Sequence, residues 1–249
     1  MPVTGLGVST PSEAWLTWGR GLHGTWAGGP AGTQGPLLRR ACPCWGAGTV
    51  AGSYGRVPSA RPGNGVGGIV SDIWTGGKLR LRGVEPEDWR GFRELARDLD
   101  GVRAAGLVEP PRSDESFRGW TAERAGRPPG GEAFRLVVED LADGGFAGAV
   151  TVGEVDRRAG RFRLGIEIGR AYRRRGYGRE AVSLLLGYMF REERFHKCEV
   201  EVYAFNEASL ALFRGVGFVE EGRLREHEFV AGVHHDVVVL GITAPEHLG

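Results

Sequence analysis

Gly176 and Gly178 stand one residue apart, between a stretch over 161–169 with alternating apolar residues and an apolar-rich stretch from about 179 to 194. A strand, a glycine turn and a helix in that order make an anion site. Glycine lets the backbone approach closely, and the helix start offers free N–H groups and the positive end of its dipole. Arg173, Arg174, Arg175 and Arg179 flank the turn, with Tyr177 inside it, so a pyrophosphate is the predicted ligand. The turn lacks the third glycine and the downstream acid of a dinucleotide fold, and no Gly-Lys-Ser/Thr follows to make a nucleoside-triphosphate loop. No metal is expected. His227-Glu228 has no second histidine at helical spacing, and His234-His235-Asp236 reads as a hairpin with exposed histidines. Cys42 and Cys44 have no second Cys or His pair at zinc spacing, so these and Cys198 read as free thiols.

The elements that must hold this turn follow from periodicity. From Lys78 onward Leu79, Leu81 and Gly83 alternate with Arg80, Arg82 and Val84, predicting a strand. Pro86-Glu87-Asp88 opens a helix carrying Trp89, Phe92, Leu95, Ala96 and Leu99 and ending near Gly101. A second, weaker helix follows the Ser113 cap with Phe117, Trp120 and Ala125. Strands are predicted over 134–139, 146–155 and 161–169, joined by turns at 143–145 and 156–160. After the long helix come a strand over 197–204, a helix over 206–215, and two strands either side of Ala231-Gly232. The order β α α β β β α β α β β describes a mixed α/β (α+β) domain with a central meander.

Residues 1–77 are different in kind. They hold 19 of the 43 glycines but only seven of the 63 charged residues, with isolated tryptophans at 15, 18, 26, 45 and 74 and no helical or strand period. The composition predicts a disordered extension, with the domain running over 78–249. Val70 is an alternative initiator, if encoded by GTG, which would leave only a short leader. The two parts carry formal charges of +3 and −2, so nothing basic enough to hold a nucleic acid is present. With no apolar run of 18 residues and no signal-peptide pattern, the expectation is a cytoplasmic protein without membrane contact, monomeric or homodimeric.

Arg173-x-x-Gly176-x-Gly178 after a strand resembles the acetyl-CoA pyrophosphate loop of the GNAT N-acetyltransferases, whose form is Arg/Gln-x-x-Gly-x-Gly/Ala. The segment from Asn206 through Ser209 to Gly217-Phe218 and Glu221-Gly222 is similar to the Asn-x-x-Ser…Gly-Phe…Glu-Gly signature of the RimJ/RimL-type branch, which acetylates ribosomal-protein N-termini. The likeness covers residues 78 to 243. It implies a mostly antiparallel sheet splayed between its fourth and fifth strands, with acetyl-CoA as co-substrate and an amine as acceptor.

The resemblance also distributes roles. Pantetheine would lie along the strand at Ile166 and Ile168 like an added strand, and backbone N–H groups near Ile168 would meet the oxyanion. The pyrophosphate would take Arg173, Arg174, Arg175, Gly176, Tyr177, Gly178 and Arg179, with Asn206 and Ser209 reaching the cofactor from the other side. The base would be Glu228, with Glu226 on the same face by period-2 alternation and Glu167 a rival beside the cofactor strand. Many members carry Tyr where Phe213 stands, so protonation of the leaving thiolate would fall to Ser209. A lysine-like amine is less than roughly 0.1% neutral at pH 7, whereas an α-amine is about ten per cent neutral, so the α-amine needs less help. A protein or peptide N-terminus is therefore the first expectation for the acceptor. A polyamine, amino sugar or amine antibiotic, or a non-catalytic acetyl-CoA-binding role, are the alternatives.

Overall fold

The computed structural model describes residues 72–106, 108–128 and 133–249; the glycine-rich extension and the Val70 start lie outside the described residues. Seven strands form one sheet in the order β1-β2-β3-β4-β5-β7-β6. They are β1 Leu79–Arg82, β2 Phe134–Asp140, β3 Phe146–Asp156, β4 Arg161–Ile168, β5 Lys197–Tyr203, β6 Val219–Val230 and β7 Val233–Thr243. All neighbours are antiparallel except β4 and β5. The meander β2–β3–β4 needs only tight turns, and Gly144 and Gly160 take the positive φ that those turns require.

Alternation along the strands splits the sheet into two faces. One carries Leu81, Val138, Val150, Leu164, Val200 and Leu240 and is covered by α4 Tyr177–Arg191 and α5 Glu207–Val216. Leu185 and Leu186 of α4 are fully buried there. The other face is covered only over its first half. There α1 Trp89–Arg97 and α3 Asp114–Ala125 set Trp89, Phe92, Phe117 and Trp120 against Val137 and Ala149.

The predicted first helix is two. It breaks at Asp98 (ψ 86°), and α2 Leu99–Ala105 follows, so Gly101 lies inside a helix and not at its end. A short α6 Ala244–Leu248, unforeseen in the sequence, is closed by Glu246, whose carboxylate accepts from the Thr243 N–H at 2.7 Å and hydroxyl at 2.8 Å. The folded domain also starts before Lys78. Trp74, assigned to the extension, stacks on Tyr188 with ring centroids 4.5 Å apart, and the Trp74 carbonyl accepts from Leu81 N–H. Strand β6 is interrupted: between the pairs Leu224–Val237 and Glu228–His235, three residues of β6 face a single residue of β7, Asp236. Glu226 sits in this bulge at φ 49°, with its N–H donating to Asp236 Oδ1 at 2.9 Å. The alternation that put Glu226 beside Glu228 therefore does not hold.

At the sheet's first edge, Arg82 makes a two-pronged pair with Asp88, both contacts 2.8 Å, and also meets Glu139, which takes Arg80 at 2.7 Å. Asp88 is buried and its Oδ2 also accepts from Glu85 N–H. The hydrogen bond to Asp88 first, and that to Glu139 after it, hold Arg82 protonated well above the usual range against the opposing effect of burial. Removing one partner of a buried pair strands the other charge. Asp88→Ala is expected to destabilise the fold by about 3 kcal/mol, read from denaturant midpoints, whereas an exposed pair such as Arg118–Glu115 is worth under about 1 kcal/mol.

Candidate active site

β4 and β5 run side by side for only three residue pairs, Arg161–Lys197 to Arg163–Glu199. Beyond that they part, because each has its hydrogen-bond partner on the outer side: β4 pairs with β3 as far as Ile168–Gly148, and β5 with β7 as far as Tyr203–Val237. The facing edges are left unpaired, and unpaired main-chain groups are a template for an extended ligand. Gly169 N–H donates to Ala147 across β3 at 2.9 Å, so alternation turns the N–H groups of Ile166 and Ile168 toward the gap.

The start of α4 stands at the mouth of this gap. Gly176 is its N-cap in the left-handed region (φ 89°), a conformation that costs any L side chain, and Arg174 before it is left-handed too (φ 58°). No side chain caps the helix. The first intrahelical bond is Glu180 N–H to Gly176 at 3.1 Å, so the N–H groups of Tyr177, Gly178 and Arg179 have no acceptor among the described residues. Three free donors and the helix dipole fit a pyrophosphate, and the gap's main-chain edges fit an amide-bearing arm beyond it.

The motif side chains divide by task. Arg174, Arg175 and Arg179 are exposed around the turn. Tyr177 contributes only its backbone, since its side chain is buried and donates to Asp140 Oδ1 at 2.8 Å. Gly178 lets α4 and α5 pack closely: a Cβ there would meet the tip of Leu212 on α5 at 3.2 Å, which would have to give by a few tenths of an ångström. Arg173 turns inward, donating from Nε to the Ile168 carbonyl at 2.9 Å and pairing with Asp98. Across the gap, Asn206 accepts from Ser209 N–H at 3.1 Å, capping α5, and donates from Nδ2 to the Ala104 carbonyl of α2 at 2.9 Å. Arg173 and Asn206 thus hold α2 from opposite sides of the gap. The half-buried Ser209 hydroxyl has no hydrogen-bond partner among the described residues, which leaves it available to a sulfur or a water. Phe213 is core, edge-on to Phe218 with centroids 5.1 Å apart.

On the opposite sheet face a small cavity of about 30 Å³ lies between the helices and the strands, lined by Phe92, Leu95 and Ala96 of α1, Val102 of α2, Arg112, Phe117 and Trp120 at α3, Arg135 of β2 and Glu167 of β4. Glu167 is the carboxylate on the strand that borders the gap, and Arg135 lies 3.5 Å from it. Glu228 is half-buried on the same face but on β6, two strands beyond β5. Its charge reaches Tyr203, whose hydroxyl is pushed up to about 12, first by burial and then by Glu228 and Glu201. The sequence reading missed Arg112, Arg135 and the aromatic lining. Phe117 and Trp120, three apart on a helix, were the available signal, but they read as ordinary core.

A sheet that parts between two parallel strands, beside an uncapped helix opened by glycine, fits a ligand with a pyrophosphate and an amide-bearing arm, which is the build of an acyl-CoA. Residues 78–219 match the acetyltransferase (GNAT) domain family, and the chain belongs to that family. It is an N-acetyltransferase with acetyl-CoA as its co-substrate. It is 30% identical over 173 residues to the uncharacterized prophage-derived N-acetyltransferase YokL of Bacillus subtilis, covering 70% of this chain and 94% of the relative. It is 32% identical to the spermidine N(1)-acetyltransferase of Vibrio cholerae over 69% of this chain and 96% of the relative. A crystal structure of the Vibrio cholerae spermidine N-acetyltransferase with CoA and spermine superposes with a TM-score of 0.62 at 25% identity, over 70% of this chain and all of that one. Among the described residues no group of His, Cys, Asp and Glu could hold a metal, and no helix is long and apolar enough to cross a membrane.

Gly176→Glu forces a side chain into the left-handed region and sets a carboxylate against the phosphates, so acetyl-CoA affinity should fall about tenfold or more by calorimetry. Tyr177→Phe tests the loop's anchor. The Tyr177 hydroxyl, then the Ala142 N–H, hold Asp140 below the ordinary carboxylate range. That contribution is present at neutral pH and lost as pH falls through the lowered pKa, so the deficit in Tm of Tyr177→Phe should narrow in acid, below about pH 3.9.

Proposed function

We propose that this N-acetyltransferase acts on an α-amine, first that of a peptide or protein N-terminus. The observation that carries the reading is Glu167: it lines the small cavity and stands on the strand that borders the gap, which puts a carboxylate beside the slot we assign to the cofactor. A carboxylate there takes the proton from the attacking amine, directly or through a water. The Ile168 N–H, turned into the gap, meets the charge that grows on the thioester oxygen, and the proton that Glu167 takes from the amine returns, through a water held by Ser209, to the departing thiolate. Glu228, beyond β7 on the same face, draws the ammonium in or passes its proton on to bulk water. An α-amine, neutral at the level of about ten per cent at pH 7, asks little of such a base. A protein of Bacillus subtilis with the provisional name ribosomal N-acetyltransferase YdaF is 28% identical over 68% of this chain, which supports this acceptor.

The second reading is a small amine. It is favoured by the spermidine acetyltransferases among the relatives and the matching structures.

CoA release from acetyl-CoA, measured against N-terminal peptides, polyamines and aminoglycosides, separates the two. Release with peptides is expected; release with polyamines alone replaces the first reading by the second, and acetyl-CoA binding with no release leaves only a non-catalytic binder. With the acceptor found, Glu167→Gln should lower kcat by about 10²-fold to 10⁴-fold and abolish the acidic limb of the pH profile, with a smaller loss for Glu228→Gln. The larger loss in Glu228→Gln would move the base there.

A further inference from the structure

The turn that opens α4 is strained, and groups outside it must hold it. Arg174 and Gly176 both take the left-handed region, at φ 58° and 89°, with Arg175 between them. A left-handed residue with a side chain is disfavoured and persists only where its surroundings fix it. The fixing comes from the segment that leads into β1. Lys78 Nζ donates to the Arg175 carbonyl at 2.9 Å, and the ammonium stands so near the turn that a Cβ on Gly176 would lie 3.1 Å from it. No described carboxylate lies within ion-pair distance of Lys78. A return tie comes from the helix. Glu180, in the first turn of α4, accepts on its Oε1 the N–H groups of both Gly77 and Lys78, the second at 3.1 Å. On charge alone this carboxylate is misplaced, since it stands one residue past the three free N–H groups and works against an anion bound there. The segment that meets it is itself anchored. Trp74 stacks on Tyr188 further along α4, and the Lys78 carbonyl accepts from Leu141 N–H at 2.9 Å.

We propose that Lys78 and Glu180 form a clasp that sets the cofactor loop, which makes both of them positioning residues for acetyl-CoA. Lys78 pins the carbonyl between two left-handed residues, and Glu180 pins the backbone that carries Lys78. With both ties made, the N–H groups of Tyr177, Gly178 and Arg179 are held in place before the cofactor arrives, and binding has less ordering left to do. The inference rests on the assignment of the pyrophosphate to this turn. A lysine that acted only by its charge would be opposed by Glu180, and removing that carboxylate would tighten binding. The clasp requires the opposite sign.

Calorimetry of acetyl-CoA on the full chain separates the two, with Tm as the control for folding. Lys78→Met should weaken binding about tenfold at an unchanged Tm, and Lys78→Arg, which keeps a cationic donor, should bind within about threefold of the unaltered chain. Glu180→Ala should also weaken binding, by about threefold to tenfold. Glu180→Gln keeps the accepting oxygen without the charge and should bind at least as well as the unaltered chain. Undiminished affinity in Lys78→Met, tighter binding in Glu180→Ala, or conservative variants that lose as much as the drastic ones would overturn the clasp. Gly176→Glu tells that failure from a failure of the loop itself. If Gly176→Glu loses affinity while Lys78→Met does not, the loop stands and the clasp alone is wrong; if neither loses affinity, the turn does not hold the pyrophosphate and the inference falls with that assignment.

Discussion

Everything in the site depends on two parallel strands that stop pairing after three residues. A sheet normally satisfies every interior strand on both sides, and a strand left open within it exposes amide groups that must find partners. Here the partner is left to be a ligand. The opening is held because β3 and β7 anchor the outer edges of β4 and β5 over their full lengths, and because α4 wedges its start at the mouth. Closing the gap would require one of those ladders to slip, and a one-residue slip would turn Leu164 or Val200 out of the core. The fold thus keeps the opening by making its closure expensive elsewhere.

The open edges would be useless without control of the distance across them, and two motif side chains supply it. Arg173 ties the end of β4 to Asp98 at the break between α1 and α2; Asn206, just after β5, ties to Ala104 at the end of α2. The same short helix is therefore fastened to both lips. This gives the two residues a role beyond cofactor contact: they fix α2 over the acceptor side while their neighbours face the acyl donor. The break at Asp98 puts that carboxylate at the turn between the two helices, where it meets Arg173.

Much of this was legible in the sequence where local chemistry decides it. Periodicity gave each strand, because alternating Leu79-Leu81 or Val150-Val152 has one buried outcome, and Gly176-x-Gly178 between strand and helix gave the loop. The splay came from resemblance, since no local pattern says where a ladder ends. What stayed hidden depends on partners distant in the chain. Tyr177 reads as a loop aromatic until Asp140, 37 residues earlier, is placed beneath it. Glu226 and Glu228 read as one face until Asp236 is seen holding the bulge between them. Trp74 reads as part of a glycine-rich tail until Tyr188 is brought against it. Arg112 and Arg135 look like part of a general excess of arginine, and only the cavity they line sets these two apart from the exposed ones.

The arginines at the two ends of the reaction do different work for that reason. Around the α4 turn, Arg174, Arg175 and Arg179 are exposed, so water screens them and their attraction to phosphates acts mainly on encounter. On the other face of the sheet, Arg112 and Arg124 lie half-buried against Phe117 and Trp120, where the rings take part of water's place around the charge. The donor side, where main-chain N–H groups and a helix dipole suffice, can hold any acyl-CoA by its common handle. The choice of acceptor is then left to side chains away from this loop.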